Sequence, residues 1–165
     1  MNAPSNDMHV SRAAQNLRWL LSNLVDEVPG VQSVAVVSSD GLLLLTSDTE
    51  VPERERESSE SNGKGPRGAG ADLATIVSGL GSLTVGASKL MDAGGVKQTM
   101  VAMDEGSLFV MSISDGSLLG VHAAPDSDMS VVAYHMALFV GRAGHVLTPE
   151  IRTELRKSME LEMEK

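Results

Sequence analysis

Four groups of residues in this chain have types that could do chemistry. The run Gly63-Lys64-Gly65-Pro66-Arg67-Gly68 has the letters of a GxGxxG phosphate loop. Such a loop works only when a preceding strand aims the glycine turn at a pyrophosphate. Here a charged Ser/Glu run precedes it, and no Lys-Ser or Lys-Thr pair stands where a Walker motif needs one. Asp40, Asp104 and Asp115 could be carboxylate catalysts, but each sits in or beside a turn ending in glycine, where aspartate is favoured for backbone hydrogen bonding. His9, His122, His135 and His145 have no HxxxH or HExxH spacing for a metal. Ser82 and Ser88 fall within a predicted helix, outside any GxSxG elbow. The chain has no cysteine, which excludes disulfides, zinc–thiolate sites and thiol catalysis. The expectation is therefore a protein with no catalytic residues, no cofactor and no metal. Arg142 is the most ordered candidate among the arginines, and a solvated helix residue is its simpler reading.

The elements that carry these residues follow from hydrophobic spacing. Val10, Ala13, Leu17, Leu20, Leu21, Leu24 and Val28 recur every three to four residues, predicting a helix over 8–28 that ends at Pro29-Gly30. Val31–Ser47 predicts a hairpin turning at Ser39-Asp40-Gly41. Its strands are apolar on both faces, which calls for cover on both sides of a sheet. Residues 48–70 hold Glu-Arg-Glu-Arg-Glu followed by Ser, Asn, Gly and Pro, the composition of a disordered inserted loop.

A second helix is predicted over 71–93, with Asp72 as N-cap. Its apolar stripe is Leu73, Ile76, Val77, Leu80, Leu83, Ala87, Leu90 and Met91, and a second stripe is small: Thr75, Gly79, Ser82 and Gly86. Glycine inside a helix costs roughly 1 kcal/mol relative to alanine, so Gly79, Gly81 and Gly86 imply close approach of another backbone. A meander follows, with strands over 96–103, 107–114 and 117–124. A third helix capped by Ser127 or Asp128 comes next, and then an amphipathic tail starting at Thr148-Pro149.

Composition narrows the function classes. The 165 residues carry a formal charge of −9 and only four aromatic side chains. That balance argues against nucleic acid and against capture by anionic lipids. Met1–Asp7 shows no basic stretch followed by an apolar one, and no run approaches the length of a bilayer span. A cytoplasmic protein without direct membrane insertion is expected.

The order αββαβββα, with Leu17-x-x-Leu20-Leu21-x-x-Leu24 leading into Val28-Pro29-Gly30-Val31 and with the Ser39-Asp40-Gly41-Leu42 turn, resembles the roadblock family. These are the roadblock-type dynein light chains and their bacterial relatives. Ala143-Gly144-His145-Val146-Leu147-Thr148-Pro149 resembles the actinobacterial branch. The resemblance implies an α/β (α+β) three-layer sandwich, roadblock/profilin-like. Its five-stranded antiparallel sheet would have the middle helix on one face and the first and third on the other. The resemblance covers about 125 residues of a single roadblock-like domain over 8–147; a flexible arm over 1–7 and an amphipathic C-terminal helix or tail over 148–165 are expected from the residues themselves.

By the same resemblance the chain is a non-enzymatic homodimer that binds a Ras-like small GTPase, in a system that includes a sensor kinase. The middle helices and third strands would form the seam, at Thr75, Gly79, Ser82, Leu83, Gly86, Val96, Gln98 and Met100. Leu73, Leu90 and Arg142 are the candidates for contact with the partner. The alternative is a small-ligand sensor of profilin or PAS type, which wants a cavity with convergent polar or aromatic groups.

Charge by segment supports a domain with a hidden surface. Residues 48–70 and 149–165 hold 19 of the 35 charged groups, leaving 16 for the other 125 residues. An isolated small domain ordinarily has a more charged exterior.

Overall fold

The computed structural model describes residues 11–47, 69–113 and 116–163. Its elements are α1 (Arg12–Glu27), β1 (Val31–Val37), β2 (Leu43–Thr46), α2 (Ala69–Leu90), β3 (Thr99–Met103), β4 (Gly106–Ser112), β5 (Leu118–Ala123), α3 (Met129–Val146) and α4 (Pro149–Met163). The strands form one antiparallel sheet in the order β2-β1-β5-β4-β3. The expected fold class is therefore the observed one.

Strand β1 shows why the sheet needs two covers. Val34 and Val36 enter one hydrophobic cluster, with α1, α3 and α4. Their neighbours Ala35 and Val37 enter a second cluster, under α2. Alternate side chains of a strand point to opposite faces, so an unbroken apolar run is the signature of a sheet sandwiched between layers.

Two hairpins are built alike. In one, the Ser38 N–H donates to Leu42 O and the Gly41 N–H to Ser38 O; in the other, Ile113 donates to Ser117 and Gly116 to Ile113. Gly41 and Gly116 have φ of +89° and +92°, a region where a side chain is strained. The β3–β4 hairpin differs from expectation. Its turn is Asp104-Glu105 alone, and Gly106 is already the first residue of β4, paired with Met103.

Several sequence boundaries need correction. Strand β3 starts at Thr99 rather than Val96, because its pairing ends at Thr99↔Val110. The preceding residues bring the chain round from the end of α2, through Asp92 at φ 52° and Gly94 at φ 81°. Helix α2 starts at Ala69, so Asp72 lies in its first turn and is not its cap; there its charge still complements the helix dipole. Residues 69 and 70 thus belong to the helix, and the rest of the expected 48–70 loop lies outside the described residues, as do Gly63–Gly68, Asp115, His9 and the 1–7 arm.

Helix α3 is capped by Asp128, whose carboxylate accepts from the N–H groups of Ser130 and Val131 at 2.9 and 3.3 Å. The C-terminal helix is more than a tail. Thr148 caps it by accepting from the Ile151 N–H, and Leu155 and Met159 are buried in the domain. Across it, Arg18 donates to Ser158 Oγ at 3.1 Å and stands 3.7 Å from Glu162. The Ser11 N–H donates to Glu154 at 2.6 Å.

Candidate functional site

Helix α2 carries the most unusual surface of the molecule. No charged residue lies between Asp72 and Lys89. The inward side presents Ala74 and Val77 to the sheet, with Leu73 and Leu80 half-buried beside them. The outward side presents Ile76, Gly79, Leu83, Gly86 and Leu90, spaced three and four apart, with Thr75 and Ser82 alongside. Leu83 is 73% and Leu90 87% exposed. A surface helix ordinarily turns charged and polar residues to water. This one turns leucines and glycines.

The apolar stripe expected from spacing is thus divided. Val77, Leu73 and Leu80 face the sheet, while Ile76, Leu83, Leu90 and Met91 face out. The helix is apolar around more than half its girth, so hydrophobic spacing alone could not say which side meets the sheet. The glycines are divided too. A Cβ built on Gly81 would stand 2.6 Å from Leu118 Cδ1, and one on Gly120 of β5 would stand 2.5 Å from Val77 Cγ2. These two glycines let α2 lie close on its own sheet. Cβ atoms on Gly79 and Gly86 would meet nothing within 4 Å, so the described residues give no packing reason for them.

The hydropathy of α2 also amends the expectation about membranes. Asp72–Leu90 is long and apolar enough, by length and composition, to cross a bilayer, and only 17% of it is buried. Its glycines, serines and threonines interrupt the apolar run and hide this in the sequence. Thr84 and Ser88 satisfy their hydroxyls within the helix, on the carbonyls of Leu80, Gly81 and Val85.

Strand β3 ends the sheet beside α2. Its outer backbone edge has no partner strand among the described residues. Met103 is half exposed, on the α2 side with Val101; Met100, paired with Phe109, is on the other side of the edge and also exposed. The residues expected at a seam are therefore brought together only in part. Thr75, Gly79, Ser82, Leu83 and Gly86 share one face; Met100 lies on the edge strand; half-buried Val96 and exposed Gln98 precede that strand. Of the partner candidates, Leu90 is exposed at the end of α2, Leu73 is partly covered by the sheet, and Arg142 lies on α3 across the sheet. Sequence reasoning missed the outward role of Ile76, Val85 and Met103. The seven-residue repeat Ile76–Leu83–Leu90 in an uncharged stretch was the signal.

The chemistry-bearing residues do not converge. Among the described residues no group of three His, Cys, Asp or Glu side chains could hold a metal. Asp40 is occupied by its turn: the Ser38 hydroxyl donates to its carboxylate, and the Leu42 N–H donates to Ser38 Oγ. That hydroxyl, helped by a backbone hydrogen bond, holds the Asp40 carboxyl below its ordinary range.

Comparison with known proteins decides the family. A family model for the Roadblock/LC7 domain matches residues 64–123. The crystal structure of a Roadblock/LC7 domain from Streptomyces avermitilis is 31% identical, over 79% of this chain and 98% of that one, with a TM-score of 0.63. The chain belongs to the Roadblock/LC7 family. The fold also matches the gliding protein MglB from Thermus thermophilus, at 15% identity over 82% of this chain and 91% of that one, TM-score 0.66. A chain of the LokiProfilin1–rabbit actin complex matches at 8% identity over 81% and 97%, TM-score 0.50, which places roadblock and profilin architectures side by side. No curated protein matches.

Proposed function

We propose that this roadblock protein is a non-enzymatic, cytoplasmic homodimer that binds and modulates a Ras-like small GTPase within a sensor-kinase-linked system. The observation that carries the reading is the outward face of α2: it belongs to a stretch of sixteen residues without a charge and carries glycines that no contact among the described residues requires. An exposed apolar stripe of this length marks a surface that something covers. A second copy fits it best, because small residues let two helices approach closely and the adjoining β3 edge offers free backbone groups to a second β3. The Streptomyces match supports the actinobacterial branch, whose members resemble components encoded beside a sensor kinase and a GTPase.

The GTPase supplies its own nucleotide chemistry. The dimer biases its switch loops through surface contacts at the ends of α2, where Leu90 and Met91 are exposed. Arg142 is on the far side of the sheet from α2 and stands apart from that contact. The small-ligand reading gains nothing: the described grooves are open and about 280–290 Å³ each, at or below the lower end of ligand sites.

The test is a pulldown of the cognate GTPase in its GDP and GTP states, followed by its hydrolysis rate with and without this protein. Binding in at least one state is expected, and an altered rate separates modulation from tethering. Absence of binding in both states ends the proposal. The seam is tested separately: Gly86→Leu is expected to be monomeric by light scattering, and a fully dimeric variant overturns the α2 seam.

A further inference from the structure

The face of the sheet opposite α2 carries a second surface, independent of the seam. A groove of about 290 Å³ runs between α1 and α3, lined by Trp19, Leu20 and Leu24 on one wall and Leu138 and Phe139 on the other. The only tryptophan of the chain, Trp19, lines it in the open, and the only tyrosine, Tyr134, stands beside it with its ring edge-on to the lining His135; each is 62% exposed. In a chain with four aromatic residues, exposing two on one face concentrates the side chains that dominate protein interfaces. A two-fold seam through α2 and β3 would leave this groove uncovered.

The groove is polarised. The end of α1 (Pro29, Gly30) and the start of α3 (Asp126, Ser127, Asp128, Val131) line one common depression, so the two helices run antiparallel along the groove. One end therefore gathers Glu27, Asp126 and Asp128, the last of which caps α3, beside the last turn of α1, which has no basic residue. The other end, near Trp19, holds Arg142, with His145 in the last turn of α3. Glu27 and Arg142 both line the groove and are both exposed.

We infer that this groove docks an amphipathic helix of a partner protein, with basic residues over Glu27 and acidic residues over Arg142. A groove between two helices accepts the apolar stripe of a third. The stretch of α1 from Trp19 to Glu27 is about 12 Å long, roughly two helical turns. Charge fixes the direction. The occupant's N-terminal end, with its positive dipole, lies at the acidic end, and its C-terminal end lies at Arg142.

Trp19 is its own reporter. The probe is a synthetic 18-residue amphipathic helix with leucines spaced three and four apart, two lysines at its N-terminal end and two glutamates at its C-terminal end. Its control has the charged ends exchanged. The first peptide is expected to shift Trp19 emission to the blue at low salt, with the exchanged peptide binding about tenfold more weakly. Arg142→Glu is expected to narrow that preference, and Leu138→Glu, folded by circular dichroism, to abolish binding of both. Equal binding of the two peptides, or no shift with either, overturns the inference. So does a blue shift that grows with protein concentration alone, which would assign the groove to a second copy. None of these outcomes depends on the GTPase or on the α2 seam.

Discussion

The two faces of the sheet are finished to different degrees. On one, α1, α3 and α4 enclose large side chains: Leu17, Val34, Leu44, Phe109, Met136 and Leu155 are all but inaccessible. On the other, α2 is the one helix among the described residues, and its Ala74 and Val77 cover Ala35, Val37, Leu108, Val110 and Leu118. The second cluster is thinner and made mainly of small and β-branched residues. It brings the helix close to the sheet through Gly81 and Gly120 and leaves an apolar surface outside. The first face is a core completed by its own chain. The second holds its helix in place and leaves its outer half uncovered among the described residues, the feature on which the proposed dimer seam rests.

The contrast can be tested from its strongest consequence down. Phe109→Ala is expected to cost about 3–5 kcal/mol in urea denaturation, the range for emptying a buried aromatic site. A loss under about 1 kcal/mol would mean that the three-helix face is not the principal core. Gly120→Ala is expected to cost about 1–3 kcal/mol. Its new methyl meets Val77 Cγ2 at 2.5 Å, and a β-branched side chain has little freedom to move aside. Faster hydrogen exchange along α2 should accompany it, and unchanged exchange would show that α2 does not depend on close seating.

Gly86→Leu should act with the opposite sign on the monomer. Nothing stands within 4 Å of its added carbon, and replacing a helix-interior glycine stabilises by roughly 0.5–1 kcal/mol. Denaturation midpoints that depend on protein concentration in the parent chain and not in the variant would show that the same substitution removes the dimer. The smallest effect belongs to the exposed turn. The folded pKa of Asp40 is lowered, so its stabilisation is present above the unfolded value and disappears as pH falls through the folded one. The parent should therefore exceed Asp40→Asn in stability near neutrality and converge with it in acid. A gap that persists there would point to a loss other than charge.

Much of the fold was legible because local chemistry repeated itself. The Ser38–Leu42 and Ile113–Ser117 turns placed two hairpins, and apolar runs on β1 called for two covering layers. The candidate site was less legible. Helix α2 is apolar on too many sides for spacing to say whether Ile76 or Val77 faces the sheet; Leu118 and Gly120, about forty residues away, decide that by their fit to Gly81 and Val77. The aromatic groove was invisible for a similar reason. Trp19 and Leu138 are more than a hundred residues apart, and each looks ordinary on its own helix.

The sequence by itself determined the order of elements, the turns and caps, the absence of cysteine chemistry and the charge-free stretch from Leu73 to Ser88, since these depend on residues near one another in the chain. Only the tertiary structure decided which side of α2 is left bare, that the C-terminal helix closes the large core, and that α1 and α3 share a polarised groove. Those outcomes rest on packing between distant segments, where shape and distance choose among faces that hydrophobic spacing leaves equivalent.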